Sequence, residues 1–447
     1  MKTTPSRFGK ITFPATNQQI ENCWLRLEDN NKPYLEVPYN SFQNDNWDII
    51  TGSFNGLDKV TFYKCDLGVE RGGRGGYYRR IFFSFMFENE KFNRKEDLFF
   101  NKITFNSGAL ENWIIDNSVC LDIEYSKSTK QLTIPNKKTL HKVQTKIGTI
   151  AISRGFDSLI GSGDAKLVRK SAIAIEFKES KHFDEISRFL VEIKRLIIFL
   201  THENPDIERY SLPLEGVSRP IILKYNSRFT TMSGFSEGIK LKYLDIKPHL
   251  ENIIKNWIEK EKLFQVIELI QEKYMNTTLS FQNYFLNCCV AMESFHIRFA
   301  QKDISQEAKE AIEKRKGERC LIANLISDED LKREFNSRTT DWKKPTFKEK
   351  IQCFESSIDF IKADNFKDST EEFIRKVVNT RNKIAHEGEY LKYLTELELL
   401  LFGKVLEFVV KIEILKTLGI EDEKLLEKFQ TDARHSVRIL AEMNGYS

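Results

Sequence analysis

Glycine and proline divide this chain. Residues 1–240 hold 16 of its 21 glycines and 8 of its 10 prolines, while residues 241–447 hold five and two. Both residues punctuate turns and are disfavoured inside helices. The partition predicts a turn-rich β domain over residues 1–240 and a helical domain over residues 245–447. The length, 447 residues, suits roughly two to four domains at about 100–200 residues each.

Local patterns agree. Short β-branched and aromatic runs lie at 10–13, 34–37, 60–63, 81–87 and 132–134, mostly separated by Gly, Asn, Asp or Pro. Residues 172–177 alternate, with Ile173, Ile175 and Phe177 on one face. Ile186, Phe189, Leu190, Ile193, Ile197 and Leu200 then follow at helical spacing. A mostly antiparallel β domain with at least one covering helix is expected. From about Asp245 the grammar is that of long helices: 248–274, 279–301, 369–386, 391–418 and 422–442, with 348–362 and a variable stretch at 305–331. Pro248 suits a first helical turn. Ser369 or Thr370 ahead of Glu371 and Glu372 suits a cap with acids at the positive helix end. Gly388 is a stop signal. Residues 391–418 are apolar nearly all round, which marks a central or interface helix. The fold class expected is α+β multidomain: a β-rich first domain, then an all-α bundle.

Charge and cysteines exclude several classes. The formal net charge of +4 is too small to argue for nucleic acid by itself. Residues 1–240 carry 35 Lys+Arg against 29 Asp+Glu, and residues 241–447 carry 34 against 36, so a basic surface in the second half must be local. The seven cysteines (Cys23, Cys65, Cys120, Cys288, Cys289, Cys320 and Cys353) are scattered and odd in number, without Cys-x-x-Cys. That excludes a disulfide framework and zinc-ribbon spacing, and fits reduced thiols. The N-terminus opens no signal-peptide core. The apolar run 196–200 is far below the ~18 residues of a membrane span. The expectation is a cytoplasmic, soluble chain without a membrane partner.

The sharpest chemical feature is Arg381-Asn382-Lys383-Ile384-Ala385-His386. On a helix starting near Ser369, at 100° per residue, Phe373, Ile374, Val377, Val378, Ile384 and Ala385 share an arc of about 140°. Arg375, Lys376, Asn379, Thr380 and Lys383 fall opposite. Arg381 falls near the middle of the apolar arc, where a charge needs a partner or a function. One reading is structural, an Arg that neutralises a buried carboxylate or snorkels out. The other is chemical. Asn382 and His386, at i and i+4, share a face beside Arg381, and His386 sits in the last turn, where the helix dipole favours its cation. An Arg clamps phosphate and stabilises developing charge. A His moves a proton to or from oxygen, and an Asn orients either. No carboxylate cluster accompanies them, so a two-metal nuclease is not expected. RNA brings its own nucleophile, the 2′-OH. A cut without metal or cofactor leaves a 2′,3′-cyclic phosphate and a 5′-OH.

This Arg-x4-His element on a late helix of an all-α domain resembles the HEPN superfamily over about residues 279–442. Those proteins are mostly metal-independent ribonucleases of microbial defence, and their signature often carries Asn after the Arg. The resemblance implies that Arg381 and His386 are catalytic and that Asn382 positions or polarises them; Lys383, inside the same element, is a supporting candidate. It also implies a homodimer through the HEPN domain, in which two motifs form one composite site. A β-rich domain ahead of a HEPN domain resembles the ApeA-type anti-phage proteins, with residues 172–200 as the clearest common pattern. That likeness implies host-RNA cleavage on infection, hence abortive infection, with transfer RNA as one target class and a phage-derived trigger on the first domain. The contrasting reading is a non-catalytic dimerisation or RNA-binding scaffold with a relic motif, which would not need Arg381, Asn382 and His386 intact.

Other features are weighed against plain structural roles. Arg195 and His202 also satisfy Arg-x6-His, but without an Asn partner and in the β-rich half, and read as structural. HEPN toxins controlled by adenylylation often carry a Tyr two residues after the His. Here that position is Gly388 and the nearest Tyr is Tyr390, so that control is not expected. Glu293 is, with Arg298, the only formal charge between Tyr274 and Gln301. It either pairs with Arg381 or lies exposed on the helix surface. Arg71, Arg74, Arg79 and Arg80, with Tyr77 and Tyr78, resemble a short RGG-type RNA- or trigger-binding segment, or else form a hairpin. Lys314, Arg315, Lys316 and Arg319 line a solvated helix face or the rim of an RNA cleft. His296, His435 and the Cys288–Cys289 pair read as structural, since no second metal-type ligand lies at usable spacing.

Overall fold

Alternation of apolar side chains wraps six strands around one interior. The strands are β1 (Arg7–Phe13), β2 (Gln18–Arg26), β3 (Tyr34–Pro38), β4 (Asn46–Phe54), β5 (Leu57–Leu67) and, after the short β6 (Arg71–Gly73), β7 (Gly76–Glu88). The computed structural model describes residues 6–27, 33–38, 46–68, 71–73, 76–114, 122–125, 130–133, 138–160, 165–203, 205, 209–213, 221–225, 241–275, 279–300, 304–362, 366, 368–387 and 394–443. Each barrel strand pairs antiparallel with the next in the order β1-β2-β3-β7-β5-β4, and β4 returns to β1. Closure removes the free edges of an open sheet. Ile11, Phe13, Leu25, Val37, Ile50, Phe62 and Ile81 fill the inside.

The second half of β7 joins the barrel to an open sheet, because residues 85–88 also pair with β15 (Ile221–Tyr225). The order continues through β14 (Arg209–Leu212), β8 (Phe99–Asn106), β13 (Ala165–His182), β12 (Gly148–Ile160) and β11 (Lys138–Gln144), all antiparallel. A short helix α1 (Gly108–Trp113) and a two-stranded ribbon, β9 (Asp122–Tyr125) with β10 (Lys130–Thr133), lie between β8 and β11 in sequence. Helix α2 (Phe183–Thr201) is the expected covering helix. It buries Phe183, Ile186, Leu190, Ile193 and Ile197, and the Phe183 ring lies 4.8 Å from Phe85 and 4.9 Å from Phe87. The six runs expected as strands lie in β1, β3, β5, β7, β10 and β13, apart from residue 134, which falls outside the described residues.

The chain divides into two compact units, residues 1–197 with 203–228, and residues 198–202 with 229–447. The second is helical: α3 (Tyr243–Ile246), a 3-10 turn (Lys247–His249), α4 (Leu250–Glu259), α5 (Leu263–Met275), α6 (Phe281–Phe295) running into a π turn (His296–Ala300), α7 (Gln306–Leu325), α8 (Glu329–Arg338), α9 (Phe347–Gln352), α10 (Glu355–Lys362), α11 (Thr370–Glu387), α12 (Glu396–Thr417) and α13 (Glu423–Met443). Two expected helices are broken, and the variable stretch resolves into two helices. The span 248–274 divides at 260–262 because the run Glu259-Lys260-Glu261-Lys262 interrupts the apolar stripe. The span 305–331 divides before Asp328, whose carboxylate caps α8 by accepting from the Asp330 and Leu331 amides. The span 348–362 divides at Cys353–Phe354.

Helix α12 is central, as its all-round apolar pattern predicts. It also carries three charges into the core: Lys404, Glu407 and Lys411 are all nearly inaccessible. Lys273 of α5 reaches both Glu407 oxygens at 2.8 and 2.7 Å, Lys411 lies at 2.7 Å, Lys404 at 3.7 Å, and the Tyr284 hydroxyl donates to the same carboxylate. One anion serves three cations. Burial opposes the charge on Glu407, but Lys273, Lys411 and Lys404 outweigh it and hold the carboxyl well below its usual value. Lys273 has the two-oxygen contact and its pKa is raised. Burial lowers Lys404 to about 7, helped by repulsion from Lys273, and lowers Lys411 to about 8.

Gly403 lets α12 approach α6. A Cβ there would lie 2.8 Å from Cε1 of Tyr284, a ring that is buried and tied by its hydroxyl to Glu407. Alanine ordinarily gains ~1 kcal/mol over glycine in a helix. Here overpacking of roughly 1–3 kcal/mol is expected to exceed that gain. Gly403→Ala should therefore lower the melting temperature, and an unchanged or higher value would contradict the close approach.

Candidate functional site

Helix α11 carries the motif and is anchored at its N-terminal end. Ser369 Oγ accepts from the Glu372 amide at 3.1 Å, and Phe373 stacks on Phe402 of α12 at 4.2 Å. The buried face of α11 consists of Phe373, Ile374, Val377, Thr380 and Ile384. This corrects the helical-wheel expectation in two places. Thr380 is buried and Ala385 is exposed, so the packed face is turned away from Ala385. Arg381 consequently lies at the margin of the buried face, with 28% of its side chain exposed, rather than at its middle. A wheel weights apolar residues alone, whereas the packed stripe runs through positions 373, 377, 380 and 384, at i, i+4, i+7 and i+11, and takes in Thr380.

Three helices meet around Arg381. From α6, Glu293 Oε2 lies 3.3 Å from Arg381 Nη2, which is the expected pairing rather than the exposed surface position. From α9, the Phe347 ring lies 5.4 Å from the guanidinium carbon. On α11 itself, Arg381 Nη1 donates to Asn382 Oδ1 at 3.1 Å. The other oxygen of Glu293 accepts from Lys350 Nζ at 2.5 Å. Asn382 and His386 are exposed one turn apart, and Lys383 is half-buried. Among the described residues no hydrogen bond or ion pair engages the His386 ring. Gly388 and Tyr390 lie outside the described residues.

Lys350 and Phe347 were not singled out from the sequence. Their signal was present as Thr346-Phe347-Lys348-Glu349, a capping box. Thr346 Oγ1 accepts from the Glu349 amide while the Glu349 side chain accepts from the Thr346 amide, which fixes the start of α9. Phe347 and Lys350, three residues apart, then share the face toward Arg381 and Glu293.

The remaining candidates are placed as follows. Residues 71–73 and 76–78 pair as a β-hairpin. Arg80 stacks over Tyr34 at 4.3 Å and shares Glu36 with Arg26. Arg79 is half-buried opposite Val37, and Arg74 and the side chain of Arg71 lie outside the described residues. Arg315 holds both oxygens of Glu349 at 2.7 and 2.9 Å, and Arg319 bonds Thr339 and Asn336. Both therefore lock α7 to its neighbours instead of lining a cleft. His202 is buried with Nδ1 3.2 Å from the Tyr274 hydroxyl, His296 is buried beside Phe354, and His435 lies 3.0 Å from Arg438. Cys288 and Cys289 are buried, and burial raises both thiols, Cys288 to about 12. Among the described residues no group of His, Cys, Asp and Glu is arranged to hold a metal ion, and no helix is long and apolar enough to cross a membrane.

These features define a two-part class, a β-barrel and sheet followed by a helical bundle whose late helix carries Arg-Asn-x3-His beside a carboxylate. Residues 6–257, more than half of the chain, match the family described as ApeA N-terminal domain 1, and residues 286–424 match Apea-like HEPN. The chain belongs to the ApeA N-terminal domain 1 family and carries an Apea-like HEPN domain after it. HEPN domains are typically ribonucleases of defence systems, and they commonly dimerise and bind RNA. Neither a curated protein nor a solved structure matches the chain.

Proposed function

We propose that the protein is a metal-independent endoribonuclease of anti-phage defence that acts as a dimer through its HEPN domain. The observation that carries this reading is the guanidinium of Arg381, oriented by Glu293, Phe347 and Asn382 one turn ahead of an exposed His386. Arg381 binds the scissile phosphate and stabilises the charge that develops on it. The RNA 2′-OH attacks the adjacent phosphorus, His386 takes its proton, and the 5′-oxygen leaves with a proton from the His386 of a second copy. The products are a 2′,3′-cyclic phosphate and a 5′-OH. Asn382 fixes one guanidinium nitrogen. In this reading host RNA, transfer RNA among it, is cut on infection, and residues 1–240 carry the response to a phage-derived trigger.

A second copy is also favoured by the surface around the site. Val290 of α6, one turn before Glu293, is 40% exposed, Ile297 of the π turn that follows α6 is 44% exposed, and Ala385 of α11 is exposed as well. Apolar side chains in that position suit a seam between copies. Val290→Lys is expected to shift the protein toward monomer in analytical ultracentrifugation and to lower cleavage in parallel. A dimer as stable as the parent's would place the seam elsewhere.

The central test is direct. Purified protein and its His386→Ala form are incubated with total bacterial RNA in EDTA, with and without lysate from phage-infected cells, and the fragment ends are mapped. Cleavage by the parent alone with 2′,3′-cyclic phosphate ends is expected. Absence of cleavage in both conditions would turn the assignment toward a non-catalytic scaffold.

A further inference from the structure

We infer that Lys350 is a positioning residue of the RNA site, holding the charge of Glu293 so that Arg381 remains available to phosphate. The inference rests on the ribonuclease reading above.

Glu293 divides its two oxygens between two cations, Lys350 at 2.5 Å and Arg381 at 3.3 Å. The lysine contact is the shorter and the more enclosed, with 10% of the Lys350 side chain exposed against 28% for Arg381. Lys350 therefore carries most of the neutralisation, and Arg381 has a looser hold on the same anion. A guanidinium has five N–H donors. The contacts to Asn382 and Glu293 engage one on each Nη, so others remain for a phosphate fork.

Charge counting gives the consequence. Arg381, Lys350 and Glu293 sum to one positive charge facing an RNA phosphate. Without Lys350 the remaining pair is neutral, and an arriving phosphate meets Glu293 as an uncompensated competitor for Arg381. Lys350 thus acts through Glu293, without touching substrate. Its own position is set by the capping box of α9, which also presents Phe347 to Arg381.

The test uses the full-length protein in a His386→Ala background, so that a fluorescein-labelled single-stranded RNA is bound without being cut. Affinity is measured across salt for Lys350→Met, Lys350→Arg, Glu293→Gln and the Lys350→Met/Glu293→Gln double variant. Lys350→Met is expected to weaken binding about tenfold and to flatten the salt slope by about 0.7, the contribution of one single-strand phosphate contact, that of Arg381 once Glu293 competes for it. Lys350→Arg should restore binding to within about twofold, because it keeps the charge. In the Glu293→Gln background, removing Lys350 should change affinity by less than about twofold, since the anion it answers is gone. A drop near tenfold in that background, or unchanged affinity and slope for Lys350→Met, would overturn the coupling. The double variant decides the matter even where Lys350→Met alone misfolds, because it leaves no uncompensated carboxylate. Arg381→Ala, measured for binding in the His386→Ala background and for cleavage with His386 intact, serves as the control for the underlying reading. If it leaves both RNA binding and cleavage intact, the ribonuclease site itself is wrong. If it impairs them while the Lys350 variants do not, only the present inference falls.

Discussion

Alanine at His386 is expected to slow RNA cleavage by about 10²–10⁴-fold, the contribution of a positioned proton-transfer group. Stability should stay within about 0.5 kcal/mol of the parent, because the ring is exposed at the last turn of α11. Arg381→Ala is expected to lower the rate by about 10²–10³-fold, the effect of removing one stabiliser of transition-state charge. It should cost little stability, since Lys350 still answers the charge of Glu293. The two losses should be far from additive, because both groups act in one step. Single-turnover cleavage of a defined RNA, with melting curves of each variant, checks both points. A His386→Ala protein that cuts as fast as the parent would remove His386 from the chemistry, whatever the fold.

The largest effect on stability is expected at Glu407. Glu407→Gln leaves Lys273, Lys404 and Lys411 inside the bundle without their anion. Removing one partner of a buried ion pair typically costs about 3–5 kcal/mol, a large share of a domain's total of about 5–15 kcal/mol. The same cluster sets a pH dependence with a definite sign. Lys404 and Lys411 have folded pKa values lowered to about 7 and about 8, against 10.5 for an ordinary lysine. Between those limits the unfolded chain binds more protons than the folded one, so stability rises with pH. The slope approaches about 1.4 kcal/mol per pH unit for each group while it titrates. Below about pH 7 the cost of both buried cations is present in full. Glu407 acts in the opposite range: its lowered pKa adds stability above the ordinary carboxylate pKa, and that stability fades as acid protonates the folded state. Calorimetry from pH 6.5 to 9 should show the helical unit's melting temperature rising by roughly 2–4 °C per kcal/mol. Lys404→Met should flatten that rise. A profile that falls from pH 7 to 9 would mean that the lysines stay charged in the fold.

Much of the site was legible in the residues themselves. Arg381, Asn382 and His386 stand within six positions on one helix, where spacing alone sets which side chains are neighbours. Glu293 stood out because a lone carboxylate in an apolar helix needs a cation. Lys350 was hidden for the opposite reason. It is one of many lysines in a charged stretch, and its value comes from facing a residue 57 positions away. Arg315 and Arg319 looked like a solvated or RNA-facing stripe, and they became tie points only because Glu349 and Thr339 fold back on them. The Lys273–Glu407 pair spans 134 positions and left no local trace at all.

The sequence by itself determined the two-part layout, six of the strands, most of the helices, and the three-residue motif. These follow from turn residues, periodicity and short-range spacing, which are properties of neighbouring positions along the chain. Tertiary structure decided the rest: the closure of six strands into a barrel, the rotation that puts Thr380 inside and Arg381 at a margin, and the sharing of Glu293 between Arg381 and Lys350. Each of these depends on which distant surfaces pack together. The energy of a buried charge or a closed strand edge is set by partners in space, and no window along the chain contains them.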